Sequence, residues 1–487
     1  MYCILGGRLP AAIVLIGGWK PPPQTSFLVT WTYRISTYNY LMPNDSPHIL
    51  LINPWIHDFA AYDFWAKPMG LLLIASLLKH HGISVSYIDC LDRFHPNAPK
   101  SNPAARQGRG PYLKTRLPRP AGLEDVPRHF SRYGIKPQWF QKDLCKQRPP
   151  DLVLVTSLMT YWYPGVQETI NIVRSVWPRT PIVLGGIYAR LCPDHAQSHS
   201  GADHVAIDPA EKNLVSIVRQ FTGCSIRPAF DPGNLDSYPY PALDLQNQIG
   251  YVPLLTSRGC PFNCAYCASR LLEPQRLLRS PESVVEEIKF WHDRYNQREF
   301  VLYDDAFLVN AEQHSIPILE KIINANLGVR FHTPNAIHIR GITGQTALLM
   351  RKAGFTTMRL GLETVEFDQR QEFDKKVSED EFKRAVGYLK QAGFEKNQVG
   401  AYLLAGLPGQ KFASIEHSIH TVKQLGITPV IAHYTPIPQT ALWPRAVAAS
   451  RYDLESDPVF TNNAVIPCRK EAFAWDRITR LKELAAD

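Results

Sequence analysis

The chain has 487 residues, 45% of them apolar and 20% charged, with a formal net charge of +9. That length accommodates two or three domains, and the composition excludes a globally disordered or fibrous chain. Nine cysteines, six of them widely scattered (Cys3, Cys90, Cys145, Cys192, Cys224, Cys468), exclude a disulfide framework; they suit a reducing compartment, so a cytoplasmic protein is expected.

Residues 1–47 show no periodicity. Their longest apolar run, Ala11 to Gly18, is far short of the ~20 residues of a membrane span, and no convincing cleavage site follows it. They are expected to form an N-terminal arm, disordered or not native, with Met42 as an alternative start. "HILLINP" (His48–Pro54) then reads as a buried strand. A helix follows through "KPMGLLLIASLLKHHG", and the next strand is "VSYID" (Val85–Asp89).

Residues 92–150 interrupt this alternation. Between Lys100 and Pro150 there are twelve Lys and Arg against three acids, Glu124, Asp125 and Asp143. The stretch reads as a basic, Pro-rich, loop-rich insertion lying against an anionic cofactor or substrate, with nucleic-acid binding as the weaker reading. Strand–helix alternation resumes with "DLVLVTS" (Asp151–Ser157), "PIVLGG" (Pro181–Gly186) and "ADHVAID". Apolar strands alternating with helices predict a doubly wound parallel sheet. Its ligands bind beyond the strand C-termini, which puts Asn53, Ser157, Gly185 and Gly186 on the working edge. The glycine pair is also what a tight strand-to-helix turn would use.

After a linker (226–250) comes "SRGCPFNCAYCAS", with Cys260, Cys264 and Cys267 in eight positions. A closed zinc site would want a fourth ligand, and the nearest histidine, His292, falls on a predicted helix. Three thiolates suit an iron–sulfur cluster with one iron left open. Six strand–helix units follow over 251–445, a partial (β/α)6 barrel of TIM type. Polar residues at its strand ends are the site candidates: Asp304 and Asp305, His332 and Asn335, Glu363, Tyr402 and Tyr434. A tail, 446–487, ends in a helix and is expected to cover the barrel mouth.

The cysteine spacing, with Tyr266 before the last Cys, resembles the radical S-adenosylmethionine (SAM) superfamily. The resemblance implies a [4Fe–4S] cluster on Cys260, Cys264 and Cys267, whose open iron is chelated by SAM, and reductive cleavage to a 5′-deoxyadenosyl radical. It implies that Asp304 or Asp305 holds the methionine amino group, that Glu363 contacts the ribose, and that Gly406, Leu407 and Pro408 of "LLAGLPG" form the adenine side. His332, Asn335, Tyr402 and Tyr434 are expected to touch cofactor or substrate.

Ser157 and Gly185–Gly186, 28 residues apart, resemble two parts of the cobalamin-binding signature, so residues 48–225 resemble a Rossmann-like cobalamin domain. The Asp-x-His-x-x-Gly part is missing from "NPWIHDFAAYDFW". This implies cobalamin without a protein imidazole on cobalt, with His57 ligation the alternative. "IDPAEKN", with Asp208 and Ala210, replaces a glycine-rich turn. The order of parts resembles the B12-binding radical SAM enzymes, which implies a methyltransferase acting on an unactivated carbon of a small molecule, fed by a flavodoxin- or ferredoxin-type electron donor. Alternatives are a ring-forming or rearranging enzyme, an RNA methylthiotransferase, and a non-catalytic cobalamin or redox sensor. Neither nucleic acid nor membrane is an expected partner.

Overall fold

The computed structural model describes residues 46–367, 373–374, 377–469 and 475–486. The expectation for the N-terminal arm therefore falls almost wholly outside the described residues. The first half contains β1 (His48–Asn53), β2 (Ile56–Asp58), β3 (Ser84–Asp89), β4 (Lys114–Arg116), β5 (Ser131–Tyr133), β6 (Leu152–Val155), β7 (Ile182–Leu184) and β8 (His204–Val205). Five of these form a parallel sheet in the order β3-β1-β6-β7-β8.

Every residue of β1 is buried because the sheet is covered on both sides. Ile49 and Leu51 face the helices Met69–His80 and Ala210–Thr222. Leu50 and Ile52 face the helix Tyr163–Val176 through Val166, Ile170 and Val173. Strands sandwiched in this way lose the polar alternation of a half-exposed strand.

The insertion is more ordered than its composition suggests. β5 pairs with β2 on one side and β4 on the other in a three-stranded antiparallel sheet, and Pro137–Cys145 is helical. Three-residue strands are too short to show periodicity, and β4 is an exposed edge reading Lys-Thr-Arg.

The second half adds β9 (Val252–Leu254), β10 (Ser257–Arg258), β11 (Leu277–Leu278), β12 (Glu299–Leu302), β13 (Arg330–His332), β14 (Phe355–Glu363), β15 (Val399–Ala405) and β16 (Thr428–His433). Six form a parallel sheet in the order β16-β15-β14-β13-β12-β9. Its two end strands, β9 and β16, are not paired with each other, so the barrel is open on one side. β10 and β11 pair antiparallel just outside it. Helices pack the outer face through residues such as Val284, Ile318, Phe382 and Ile419. The helix Pro281–Tyr295 is capped by the Ser280 hydroxyl, which accepts from the Ser283 N–H.

The tail departs from expectation. Its helix, Trp475–Ala486, lies on the outside of the barrel, with Ile478 and Leu481 in the outer core beside β16. An apolar stripe on a terminal helix must be buried somewhere, and the outer face of β16 supplies the place. It is the preceding segment that reaches across the molecule: Asp457 accepts from the Tyr163 hydroxyl at 2.9 Å, and Asn462 Nδ2 donates to Asp58 at 2.9 Å. Among the described residues no helix is long and apolar enough to cross a membrane.

Candidate functional site

The three cysteines sit in a loop leaving β10. Gly259, at φ +79°, has no room for a side chain, since a Cβ would lie 2.5 Å from the Gln275 carbonyl oxygen. The loop is held by backbone bonds from the Ala265 N–H to the Phe373 carbonyl (2.9 Å) and from the Leu442 N–H to the Ala265 carbonyl (2.8 Å). The Tyr266 hydroxyl is anchored on Asp374 at 2.8 Å. The three sulfurs line one small cavity with Asp305, Asn335, His338 and Gly361. Cys260 Sγ lies 3.9 Å from His338 Nε2, and the Ser269 N–H donates to Cys267 Sγ at 3.4 Å. Three soft thiol donors at one cavity are the donor set of an iron–sulfur cluster.

The strand-end candidates separate. Asp304 is 4% exposed and turned back into the fold. It accepts from the Thr256 N–H (3.0 Å), the Thr256 hydroxyl (2.6 Å) and the Ser257 hydroxyl (2.7 Å). Burial pushes its pKa up, and these bonds oppose that push. Asp304 thus ties β12 to the start of the cluster loop. Asp305 lines both the cysteine cavity and a larger cleft, and Asp304 lines neither.

Asn335 reaches the cysteine cavity while donating to the Tyr303 carbonyl at 2.8 Å. Glu363 is buried at the end of β14, at φ +65° beside a register shift in the ladder to β15. Such strain and bulges cluster at ligand sites.

Three of the candidate positions do not line these two cavities. His332 is 0% exposed and lies in the barrel interior, bonded to Glu299 (2.8 Å) and Thr357 (3.0 Å) and stacked on Trp65 at 4.5 Å. It braces the strands and lines neither cavity. Gly406 and Leu407 both donate their N–H groups to Gln410 Oε1, at 2.8 and 3.2 Å. With Pro408 they form a self-satisfied turn. Asn53, though at the end of β1, donates to Asp89 at 2.7 Å and faces a different, polar cavity.

The other sheet-edge residues do meet. The Ser157 hydroxyl donates to the Gly185 carbonyl at 2.6 Å. Gly186, at φ +94°, passes so close to Ser157 that a Cβ would lie 2.3 Å from its carbonyl oxygen, whereas a Cβ on Gly185 would meet nothing within 4 Å. Gly186 is the tight turn and Gly185 the open approach. Both line a cleft between the two halves, together with Asp208 and Ala210. The opposite wall carries Tyr266, Cys267, Asp305 and Tyr434.

The cleft has a cavity volume of about 390 Å³, within the roughly 300–1,000 Å³ of small-molecule sites. It runs down between the sheet and its two covering helices as a slot lined by Leu71, Ile74, Leu154, Val183, Leu214 and Ile217. A slot of this kind accepts an apolar group. His57 is not on its wall: Nε2 sits 2.8 Å from Glu168, which Arg132 also engages.

Sequence reasoning missed Lys67 and Arg190. Lys67 lies where the cleft and the polar cavity adjoin, and burial lowers its pKa to about 8. Arg190 bonds the Leu272 carbonyl after the cluster loop, and Arg258 pairs with Glu211 at 2.7 Å. No periodicity marks such contacts, because each depends on how the halves meet. Several cations of the basic insertion are spent internally: Arg132 on Glu168 and Arg109 on the Trp65 ring, at 4.5 Å.

A thiol-lined cavity thus adjoins a sheet-edge cleft, the two sharing Cys267 and Asp305. The radical SAM superfamily matches residues 254–422 and the B12 binding domain matches residues 143–218. The chain therefore carries a radical SAM domain preceded by a B12-binding domain. It is 29% identical over 224 residues to the uncharacterized methyltransferase PH0819 of Pyrococcus horikoshii, covering 44% of this chain and 48% of that one. It is 21% identical over 421 residues to the cytidylyl-2-hydroxyethylphosphonate methyltransferase of Streptomyces wedmorensis, covering 74% and 73%. Against the first of these the chain spans about half the relative's length. The structure of the radical SAM methyltransferase TsrM from Kitasatospora setae superposes with a TM-score of 0.60 at 15% identity, over 83% of this chain and 77% of that one, which is a likeness of fold.

Proposed function

We propose that the chain is a cobalamin-dependent radical SAM methyltransferase acting on an unactivated carbon of a small molecule. The observation that carries this reading is the single cleft that joins the sheet edge at Ser157 and Gly185 to the cluster loop at Tyr266 and Cys267. Cys260, Cys264 and Cys267 would hold the [4Fe–4S] cluster, Asp305 and Glu363 would flank SAM, and Ser157 and Gly185 would receive the cobalamin. When bound, these groups supply the one-electron cleavage that opens an unreactive C–H bond and the methyl group that replaces its hydrogen.

The chain's own part is positioning and exclusion. Asp305, at the junction of the two cavities, presents a carboxylate for an ammonium group. Asp374 fixes Tyr266 and with it the spacing of Cys264 and Cys267. The apolar cleft wall keeps solvent from a reactive site. Electrons would come from a flavodoxin- or ferredoxin-type donor in the cytoplasm. The working units would be residues 48–225, with the insertion 92–150, and 251–445.

The test is anaerobic reconstitution of the full chain, with iron, sulfide and cobalamin quantified and SAM turnover followed under a low-potential reductant. Release of 5′-deoxyadenosine, with metabolites gaining a methyl group, is expected. A lone zinc ion at the loop, or no 5′-deoxyadenosine from a fully reconstituted cluster, would overturn the reading, and the latter would favour a sensor.

A further inference from the structure

The parallel sheet of the first half has two cavities along its C-terminal edge. The chain runs from β1 outward to β3 and then crosses back to β6, so the strand order reverses between β1 and β6. Ligands of such sheets bind beside that reversal. The cleft takes the ends of β6 and β7. The ends of β1 and β3, with Asn53 and Asp89, open into the polar cavity instead. Its volume is about 320 Å³, within the roughly 300–1,000 Å³ of small-molecule sites. Lys67 and Pro68 line both spaces, so a ligand in one can reach into the other.

The wall of the polar cavity carries the carboxylates of Asp63, Asp89, Asp92 and Asp143. Two of them have cationic partners in the chain. Asp63 pairs with Arg93 at 3.1 Å, and Asp143 with His95 at 2.8 Å and Lys146 at 2.7 Å. Asp92 accepts from the Phe94 N–H at 2.8 Å and from Asn247 Nδ2 at 2.7 Å. Asp89 accepts from Asn53 Nδ2 at 2.7 Å and from the Leu91 N–H at 2.8 Å, both on Oδ1. Among the described residues no cation lies within ion-pair distance of it. Burial, and then the charge of Asp92, raise its carboxyl to about 6.

Lys67 is the opposite case. Its Nζ donates to Gln246 Oε1 at 2.6 Å and lies 4.6 Å from the centre of the Tyr251 ring. Among the described residues it has no carboxylate within ion-pair distance. Asp89 and Lys67 thus face one cavity without reaching each other, which leaves room for a ligand between them. Charges withdrawn from water without partners are costly. A simple cation would answer only Asp89, and a simple anion only Lys67. A zwitterion answers both.

We propose that the polar cavity binds the charged end of a substrate of the amino-acid class, its ammonium on Asp89 and its carboxylate on Lys67, with the side chain passing Lys67 and Pro68 into the cleft. Each contact is a charge-assisted hydrogen bond, the stronger kind. The proposal rests on the reading of the cleft as the place of methylation and narrows its substrate class.

The test uses the full chain without cofactors, titrated at neutral pH and constant ionic strength with three probes of similar shape. L-leucine carries both charges, isoamylamine lacks the carboxylate and isocaproate lacks the ammonium. Binding is followed by calorimetry and by the melting midpoint, which a ligand of the folded state raises. Saturable binding of L-leucine is expected, with each single-charge probe roughly tenfold weaker. Asp89→Asn should weaken L-leucine by roughly tenfold and leave isocaproate unchanged, whereas Lys67→Met should weaken L-leucine by roughly tenfold and leave isoamylamine unchanged. A chain that had merely lost stability would not give this crossed pattern. Arg384→Gln, on an exposed helix face of the barrel, should change nothing. Absence of saturable L-leucine binding, equal affinity for all three probes, or variants that bind L-leucine like the wild type would overturn the proposal. Because this readout needs neither cluster nor cobalamin, a negative result beside normal 5′-deoxyadenosine release removes only the amino-acid site.

Discussion

The neighbouring carboxylates Asp304 and Asp305 should fail in opposite ways when removed. Asp304→Ala strips the acceptor from the Thr256 N–H, the Thr256 hydroxyl and the Ser257 hydroxyl, all at residues that are themselves buried. The Thr256 hydroxyl keeps a partner in His314 Nε2 at 2.8 Å, so two donors are left stranded. At about 1–3 kcal/mol for each buried unsatisfied group, the loss is about 2–6 kcal/mol. For a domain of this size about 2–4 °C accompanies each kcal/mol, which predicts a fall in melting midpoint of roughly 4–24 °C.

Asp305→Ala removes a half-buried side chain at a cavity wall and should move the midpoint by less than about 2 °C. Its effect should appear instead as a roughly tenfold or greater loss of SAM affinity in the reconstituted protein. Circular dichroism melts and equilibrium dialysis of SAM measure the two quantities. An Asp304→Ala chain that melts like the wild type, or an Asp305→Ala chain with undiminished SAM affinity, would refute the division of labour.

Gly186→Ala forces a Cβ to within 2.3 Å of the Ser157 carbonyl at a left-handed φ, and should lower stability by more than about 1 kcal/mol; Gly185→Ala should leave the melt unchanged and weaken cobalamin binding, read by visible absorbance. Since His57 is held by Glu168 away from the cleft, electron paramagnetic resonance of the Co(II) form should be the same in wild type and His57→Ala, and a nitrogen superhyperfine pattern lost on mutation would refute this placement. Burial pushes the Glu168 carboxyl up, but hydrogen bonds from His57 and Arg132 outweigh it and hold the pKa at about 2. A folded-state pKa below the unfolded value of about 4.3 adds stability that is present above that pH and lost as pH falls toward about 2. Glu168→Gln should therefore melt lower than wild type at neutral pH, and the gap should narrow in melts taken at about pH 3.

Much of the architecture was legible in the amino-acid order because it rests on local rules. The strands of the first sheet, such as HILLIN and LVLV, are short apolar runs, and they are apolar throughout because helices cover that sheet on both sides. The three thiols announce themselves by spacing alone. Gly185–Gly186 was visible as a pair, but only the close approach to Ser157 separates the residue that makes the turn from the one that leaves room for a ligand.

What the tertiary structure decided is where each side chain points once strands from distant parts of the chain are paired. One step along a strand reverses a side chain's direction: this turns Asp304 into the fold beside Asp305 on the cavity, and it sends His332 toward Glu299 and Trp65. The three-residue strands β2, β4 and β5 exist only through one another, so no single segment foretells them. The cleft joins surfaces far apart in sequence, the sheet edge at Ser157 and Gly185 and the cluster loop at Tyr266 and Cys267. Local pattern fixes which elements form; the packing of those elements fixes which polar groups find a partner and which are left for a ligand.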